Sequence, residues 1–128
     1  MTIKESIKKL KKDRNYFGFA TDTNIKCDKR QEEWYKERKE NGFDDTETWS
    51  LKTTIAKFAL PRLKWFKERH FDHPCDITFE KWNEILDNMI FSFEYYANDE
   101  WRLISDEEFK KVEEGMKLFA EYYGDLWW

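Results

Sequence analysis

Residues 77–99 read ITFEKWNEILDNMIFSFEYYAND. Trp82, Ile85, Leu86, Met89, Phe93 and Tyr96 recur in this stretch at intervals of three and four. That spacing places them on one stripe of an α-helix. Thr78 stands where a helix N-cap is wanted, ahead of the first apolar residue. No strand-type alternation competes with this reading, here or elsewhere, and β-branched residues are sparse.

The same pattern extends outward in both directions. Downstream, SDEEFKKVEEGMKLFAEYYGDLWW opens on Ser105 and Glu108, the two ends of a capping box. Phe109, Val112, Met116, Phe119 and Tyr123 then define its apolar side. Gly115 weakens that helix and is expected where two helices approach closely. Upstream, FDDTETWSLKTTIAKFALPRLKWFKERH gives the longest helical pattern, with acidic residues crowding its start. DKRQEEWYKERKENG predicts a further helix, capped by Asp28 with Gln31 three residues on and ended by Gly42. ESIKKLKKDR supplies one or two basic amphipathic turns, with Ile7 and Leu10 on one side. The fold class is all-α. Three long helices form a compact antiparallel bundle, joined by one or two short N-terminal helices. Residues 1–128 make a single domain, in which 1–27 is the less regular segment.

Composition narrows the function. Of the 128 residues, 39% are charged and 40% hydrophobic, so the chain folds around a core. The formal net charge of −4 disfavours a surface that tracks duplex phosphates. Two cysteines, Cys27 and Cys75, imply no disulfide framework and suit a reducing cytoplasm. The first residues are too polar for a signal peptide, and no apolar run reaches membrane-spanning length. Aromatic residues make up 19% of the chain, about twice ordinary usage. They pack a small core, line a stacking pocket or form a partner interface. The terminal Trp127 and Trp128 need cover, either from the bundle itself or from a second subunit, which points to a homo-oligomer.

The motif that departs from a plain helix is FALPRLKWF, residues 58–66. At helical spacing, Leu51, Ile55, Phe58, Arg62 and Phe66 share a face, so Arg62 is expected at the centre of an apolar stripe. A buried guanidinium needs a carboxylate, a carbonyl or a bound anion. Asp87 or Glu94 would serve as a structural partner. Pro61 cannot donate to the carbonyl of Lys57 and is expected to kink the helix. The functional alternative is an anion site in which Arg62, with Lys57, Lys64 and Arg69, holds phosphate; Trp49, Trp65 and Trp82 flank the region, and Trp49 and Trp82 stack a base. Against it stands the packing of Trp49 and Trp82 as core residues.

HFDHPC brings His70, Asp72, His73 and Cys75 together, but at no recognised zinc spacing, and the expectation is a solvated loop without metal. No nucleophile elbow, phosphate loop or zinc-protease motif occurs, so no enzyme and no cofactor are expected.

Residues 42–128 also carry a longer pattern. It comprises GFDDTETWSLKTTIAKFALPRLKWFKE, then FEKWNEILDNMIFSFEY, then EEGMKLFAEYYGDLW. Its most specific parts are PRL at 61–63 and W-x-x-I-L-x-x-M-I at 82–90. The pattern resembles a family of small proteins encoded by tailed bacteriophages and prophages. The resemblance implies an early or accessory protein in the cytoplasm of an infected bacterial cell. Two functions fit. One is a non-catalytic sponge that sequesters a small nucleotide immune signal. The other is an interaction module that docks on a host or phage protein through an aromatic surface.

Overall fold

The computed structural model describes residues 2–12, 29–69, 72–98 and 103–127. Cys27, Asp28, His70 and Trp128, and the side chain of Leu10, lie outside them. Every regular element among the described residues is helical: α1 (Ile3–Lys12), α2 (Gln31–Asn41), α3 (Thr46–Trp49), α4 (Leu51–Arg69), α5 (Phe79–Ala97), α6 (Asp106–Tyr122) and a final 3-10 turn, Tyr123–Asp125. No helix of the described residues is long and apolar enough to cross a membrane. The chain divides into two compact units, Met1–Leu51 and Lys52–Trp128.

In the first unit, Thr2 and Glu5 exchange the two hydrogen bonds of a capping box at the start of α1, at 3.1 and 3.0 Å. Helix α2 ends as the sequence predicts: Gly42 takes a left-handed conformation at φ 84° and its N–H donates to the Arg38 carbonyl. The chain then turns tightly around the buried Asp44. Its carboxylate accepts from Arg38 Nη1 at 2.7 Å, from the Thr46 amide at 2.8 Å and from the Thr46 hydroxyl. The Asp44 amide donates in turn to buried Glu47 at 2.6 Å. Ser50, at φ −130° and ψ 71°, leaves the helical region and separates α3 from α4. The single long helix expected over 43–70 is therefore two.

In the second unit the core is centred on α5. Trp82, Ile85, Leu86, Met89 and Phe93 are all buried, and Tyr96 packs against them. Each such side chain contributes about 1.5–3 kcal/mol by leaving water. Thr78 caps the helix, accepting from the Lys81 amide at 3.1 Å. Ser105 does the same for α6, accepting from the Glu108 amide at 3.2 Å. Along α6 the inward residues are Val112, Gly115, Met116, Phe119 and Tyr122; Tyr123, assigned to that face from sequence, is 66% exposed. Phe93 and Phe119 meet edge to face at 4.9 Å across the α5–α6 contact.

That contact is close because of Gly115. A Cβ at this position would lie 1.9 Å from Ser92 Oγ and 2.2 Å from the Asn88 carbonyl oxygen. Ser92 uses the proximity to donate across to the Val112 carbonyl at 2.6 Å.

Candidate functional site

Helix α4 carries two apolar stripes. Ala56 and Leu63 are buried in the core, with Ala59, Leu60 and Phe66 packed beside them. About a third of a turn away in angle, Ile55, Phe58, Arg62, Trp65 and Arg69 follow one another at helical spacing. Ile55 is 51% exposed and Trp65 61%. Phe58 is half-buried, and Pro61, Arg62 and Arg69 are exposed.

The expectation that Arg62 sits within the core stripe is therefore incorrect. Leu51, Ile55, Phe58 and Arg62 belong to the outer stripe, and Phe66 to the inner one. Both stripes have helical spacing, and periodicity alone does not say which of the two is buried. Both acids expected beside Arg62 pair with lysines. Asp87 pairs with Lys67 at 2.6 Å, and Glu94 with Lys64 at 3.1 Å. Arg62 folds back on its own helix instead. Its Nη1 donates to the Phe58 carbonyl at 2.9 Å, and its guanidinium carbon lies 3.9 Å from the centre of the Phe58 ring. The carbonyl it uses belongs to Phe58, not to Lys57, where the missing Pro61 N–H would have bonded. Helix α4 runs unbroken through Pro61.

Two turns further, Arg69 lies over Trp65, 4.5 Å from the ring centre. The outer stripe is thus a row of rings, each carrying a guanidinium. Pro61, Arg62, Trp65 and Phe66 surround a hollow of about 420 Å³ on this face.

Five of the six residues assigned to a ligand site belong to the second unit, and those five do not form one constellation. Arg62 and Arg69 lie on the outer stripe of α4. Lys57 is half-buried on another side of the helix. Lys64 is engaged with Glu94. Trp82 is a core residue, 1% exposed and packed edge to face on Tyr122 at 5.7 Å. Trp49 belongs to the first unit, where it is 51% exposed and meets Trp34 edge to face at 5.5 Å. Arg30 lies over both of those rings, at 5.0 and 5.3 Å. Of the tryptophans near the PRL motif, Trp65 is the one that accompanies Arg62 on the surface. Its position two turns after Phe58 and three residues after Arg62 was the signal for it.

In the 72–76 segment, His73 Nδ1 lies 2.9 Å from the Pro74 carbonyl oxygen and Cys75 is exposed. No group of three metal-ligating side chains occurs among the described residues.

Comparison with protein-family models, with curated proteins and with solved structures finds no match for this chain.

Proposed function

We propose that this chain is an interaction protein that docks on another protein through the outer face of α4. The observation that carries the proposal is the second apolar stripe, Ile55, Phe58 and Trp65, lying outside the core on a helix whose other stripe is buried. Exposed rings beside arginines are the composition of interface anchors. Arg62 and Arg69 make the face basic as well as aromatic, within a chain whose net charge is −4. The complementary surface is apolar with acidic residues at its rim, as on an amphipathic helix bearing Asp or Glu.

Accessory or counter-defence action in a phage-infected bacterial cytoplasm, implied by the sequence resemblance, belongs to the same proposal. So does an antiparallel arrangement of α4, α5 and α6 behind the docking face. Self-association through the same face would give the homo-oligomer suggested by the aromatic load, and light scattering measures it.

A photo-crosslinking amino acid in place of Trp65 tests the docking face in cells. A discrete adduct is expected, and Arg62→Glu should remove it while leaving the circular dichroism spectrum intact. An adduct that survives Arg62→Glu, or one formed equally from Lys64 on another side of the helix, would refute the face.

A second reading, sequestration of a small nucleotide, draws support from the hollow that Arg62 and Trp65 share. There the guanidinium would hold phosphate and the indole would stack a base. Thermal melts with cyclic dinucleotides and ADP-ribose separate the two readings. A ligand at a hundred times its dissociation constant stabilises the native state by about 2.7 kcal/mol. The docking reading expects no shift.

A further inference from the structure

The outer stripe of α4 keeps a stricter period than a helical face requires. Ile55, Phe58, Arg62, Trp65 and Arg69 follow one another at intervals of three, four, three and four residues. That is a repeat of 3.5, the period of a coiled-coil seam, whereas a straight helix turns once in 3.6 residues. In heptad terms Ile55, Arg62 and Arg69 occupy a positions, and Phe58 and Trp65 occupy d positions. The seam runs for two heptads, about 21 Å along the helix axis.

Shape and charge then say what pairs with it. In a coiled coil, a side chain of the facing helix enters a hole framed by four residues. On this seam one such set, at i, i+3, i+4 and i+7, is Phe58, Pro61, Arg62 and Trp65. The hollow of about 420 Å³ has Pro61, Arg62 and Trp65 in its wall. Arg62 and Arg69 put a guanidinium at two consecutive a positions, about 10.5 Å apart along the axis. A charged residue at a core position selects the partner that carries its complement. A second copy of α4, laid in either direction, would gather four guanidiniums in one seam. The seam is therefore complementary to an acidic helix and not to itself.

We infer that α4 pairs, as one strand of a two-helix coiled coil, with a helix of another protein that carries two acidic residues seven apart and a large apolar residue between them. The inference rests on the reading of this face as a docking surface and adds its register. The two acids meet Arg62 and Arg69, and the apolar residue meets Trp65. The spacing is the same for a parallel and an antiparallel partner, because in both the acids repeat at one heptad position. A carboxylate and a guanidinium can form two parallel bonds, so each acid fixes the register as well as the charge.

Three synthetic helical peptides of three heptads, fluorescently labelled and titrated with the full chain, test the register by anisotropy. The first has leucine at its core positions except for glutamate at two successive a positions. The second has lysine at those two positions. The third has the composition of the first, with the glutamates at neighbouring a and d positions, three residues apart. Saturable binding is expected for the first. The second and third should bind at least about tenfold more weakly, since charge-assisted contacts are lost. Arg62→Glu with Arg69→Glu changes two exposed residues and should exchange the preference, binding the lysine peptide and rejecting the glutamate one. No saturable binding of the first peptide at millimolar concentration, equal binding of the first and third, or a double variant with native circular dichroism that does not exchange the preference would each overturn the inference. So would a wild-type dimer in light scattering that the double variant dissociates, which would give the face to a second copy. If the peptides fail while the Trp65 crosslink still forms and still depends on Arg62, the docking face stands and the coiled-coil register falls. Loss of the crosslink removes the face itself.

Discussion

The inner and outer stripes of α4 are built from similar residues and differ in what faces them. The inner stripe, Ala56, Leu60 and Leu63, lies against Trp82, Ile85, Leu86 and Met89 in one core cluster. The outer stripe, Ile55, Phe58 and Trp65, is at least as apolar but stays in contact with solvent, its rings partly covered by Arg62 and Arg69. Burial needs a partner as well as an apolar residue, and α5 supplies one to a single side of the helix. An apolar face left outside is the ordinary mark of an interaction surface. The arginines also make the exposed rings more compatible with water.

The widest separation between the stripes should come from alanine at one position on each. Leu63→Ala removes a buried side chain and leaves a cavity, at a cost of about 2–5 kcal/mol. Trp65→Ala, two residues on, should change stability by no more than about 0.5 kcal/mol, as surface positions usually do. Urea denaturation of both variants measures this. Equal losses would mean that the outer stripe is packed and would end the docking proposal.

Gly115, on α6, sharpens the contrast. Like Pro61 and Arg62, it breaks the pattern of its helix, but its cause lies wholly within the chain. In an exposed helix Gly→Ala would gain about 0.5–1 kcal/mol. At Gly115 the new methyl would fall within 2.2 Å of the Asn88 carbonyl oxygen, a backbone atom that cannot rotate away. Overpacking of this kind costs about 1–3 kcal/mol or more, so the clash outweighs the propensity. Adding Ser92→Ala removes the Oγ contact and leaves the carbonyl one, so the double variant should remain destabilised. Melting temperatures of the single and double variants check both statements.

The parts of this fold that can be read from sequence are those with one apolar side. In α5 the periodic residues and the core are nearly the same set, and the Thr78 and Ser105 caps fall where the sequence puts them. Helix α4 was readable as a helix but not in its orientation, because two overlapping stripes satisfy the same period. That ambiguity carried Arg62 from the surface into the imagined core, and with it the choice of site residues. The break at Ser50 was hidden because TETW and LKTT both suit helix. The cleft lined by Asp72, Asp76, Asp125 and Trp127 had no local signature, since its two walls are far apart in the sequence.

Arg62 gives a smaller effect on stability than either core change. Its hydrogen bond to the Phe58 carbonyl and its place over the Phe58 ring are both on an exposed surface. Arg62→Ala should therefore cost no more than about 1 kcal/mol. A strut inside the bundle would have cost about 3–5 kcal/mol by stranding its acid. Arg62→Lys retains the charge and loses the planar fork, so it should fold normally and dock poorly. A large loss of stability in Arg62→Ala would return the residue to the core and restore the structural reading of the PRL motif.

The smallest effect concerns Tyr122, and it appears only in alkaline solution. Desolvation, then Glu121, Asp76 and Asp125, raise the Tyr122 phenol from its ordinary value of 10.0. The folded protein thus prefers the neutral phenol more than the unfolded chain does. That preference is fully present below a pH of about 10, and it is lost as the pH rises through the higher folded value. Tyr122→Phe keeps the ring that packs edge to face on Trp82 and removes the ionisation. Every other group is common to both proteins, so the difference between the two melting curves isolates this one phenol. The variant should gain on the wild type as pH is raised from about 9 to about 11. Asp76→Asn with Asp125→Asn should shrink the gain, because two sources of the field are gone. A gap that stays constant across the range would mean that the phenol titrates as it does in the unfolded chain. Glu121, Asp76 and Asp125 would then be too well solvated to influence Tyr122.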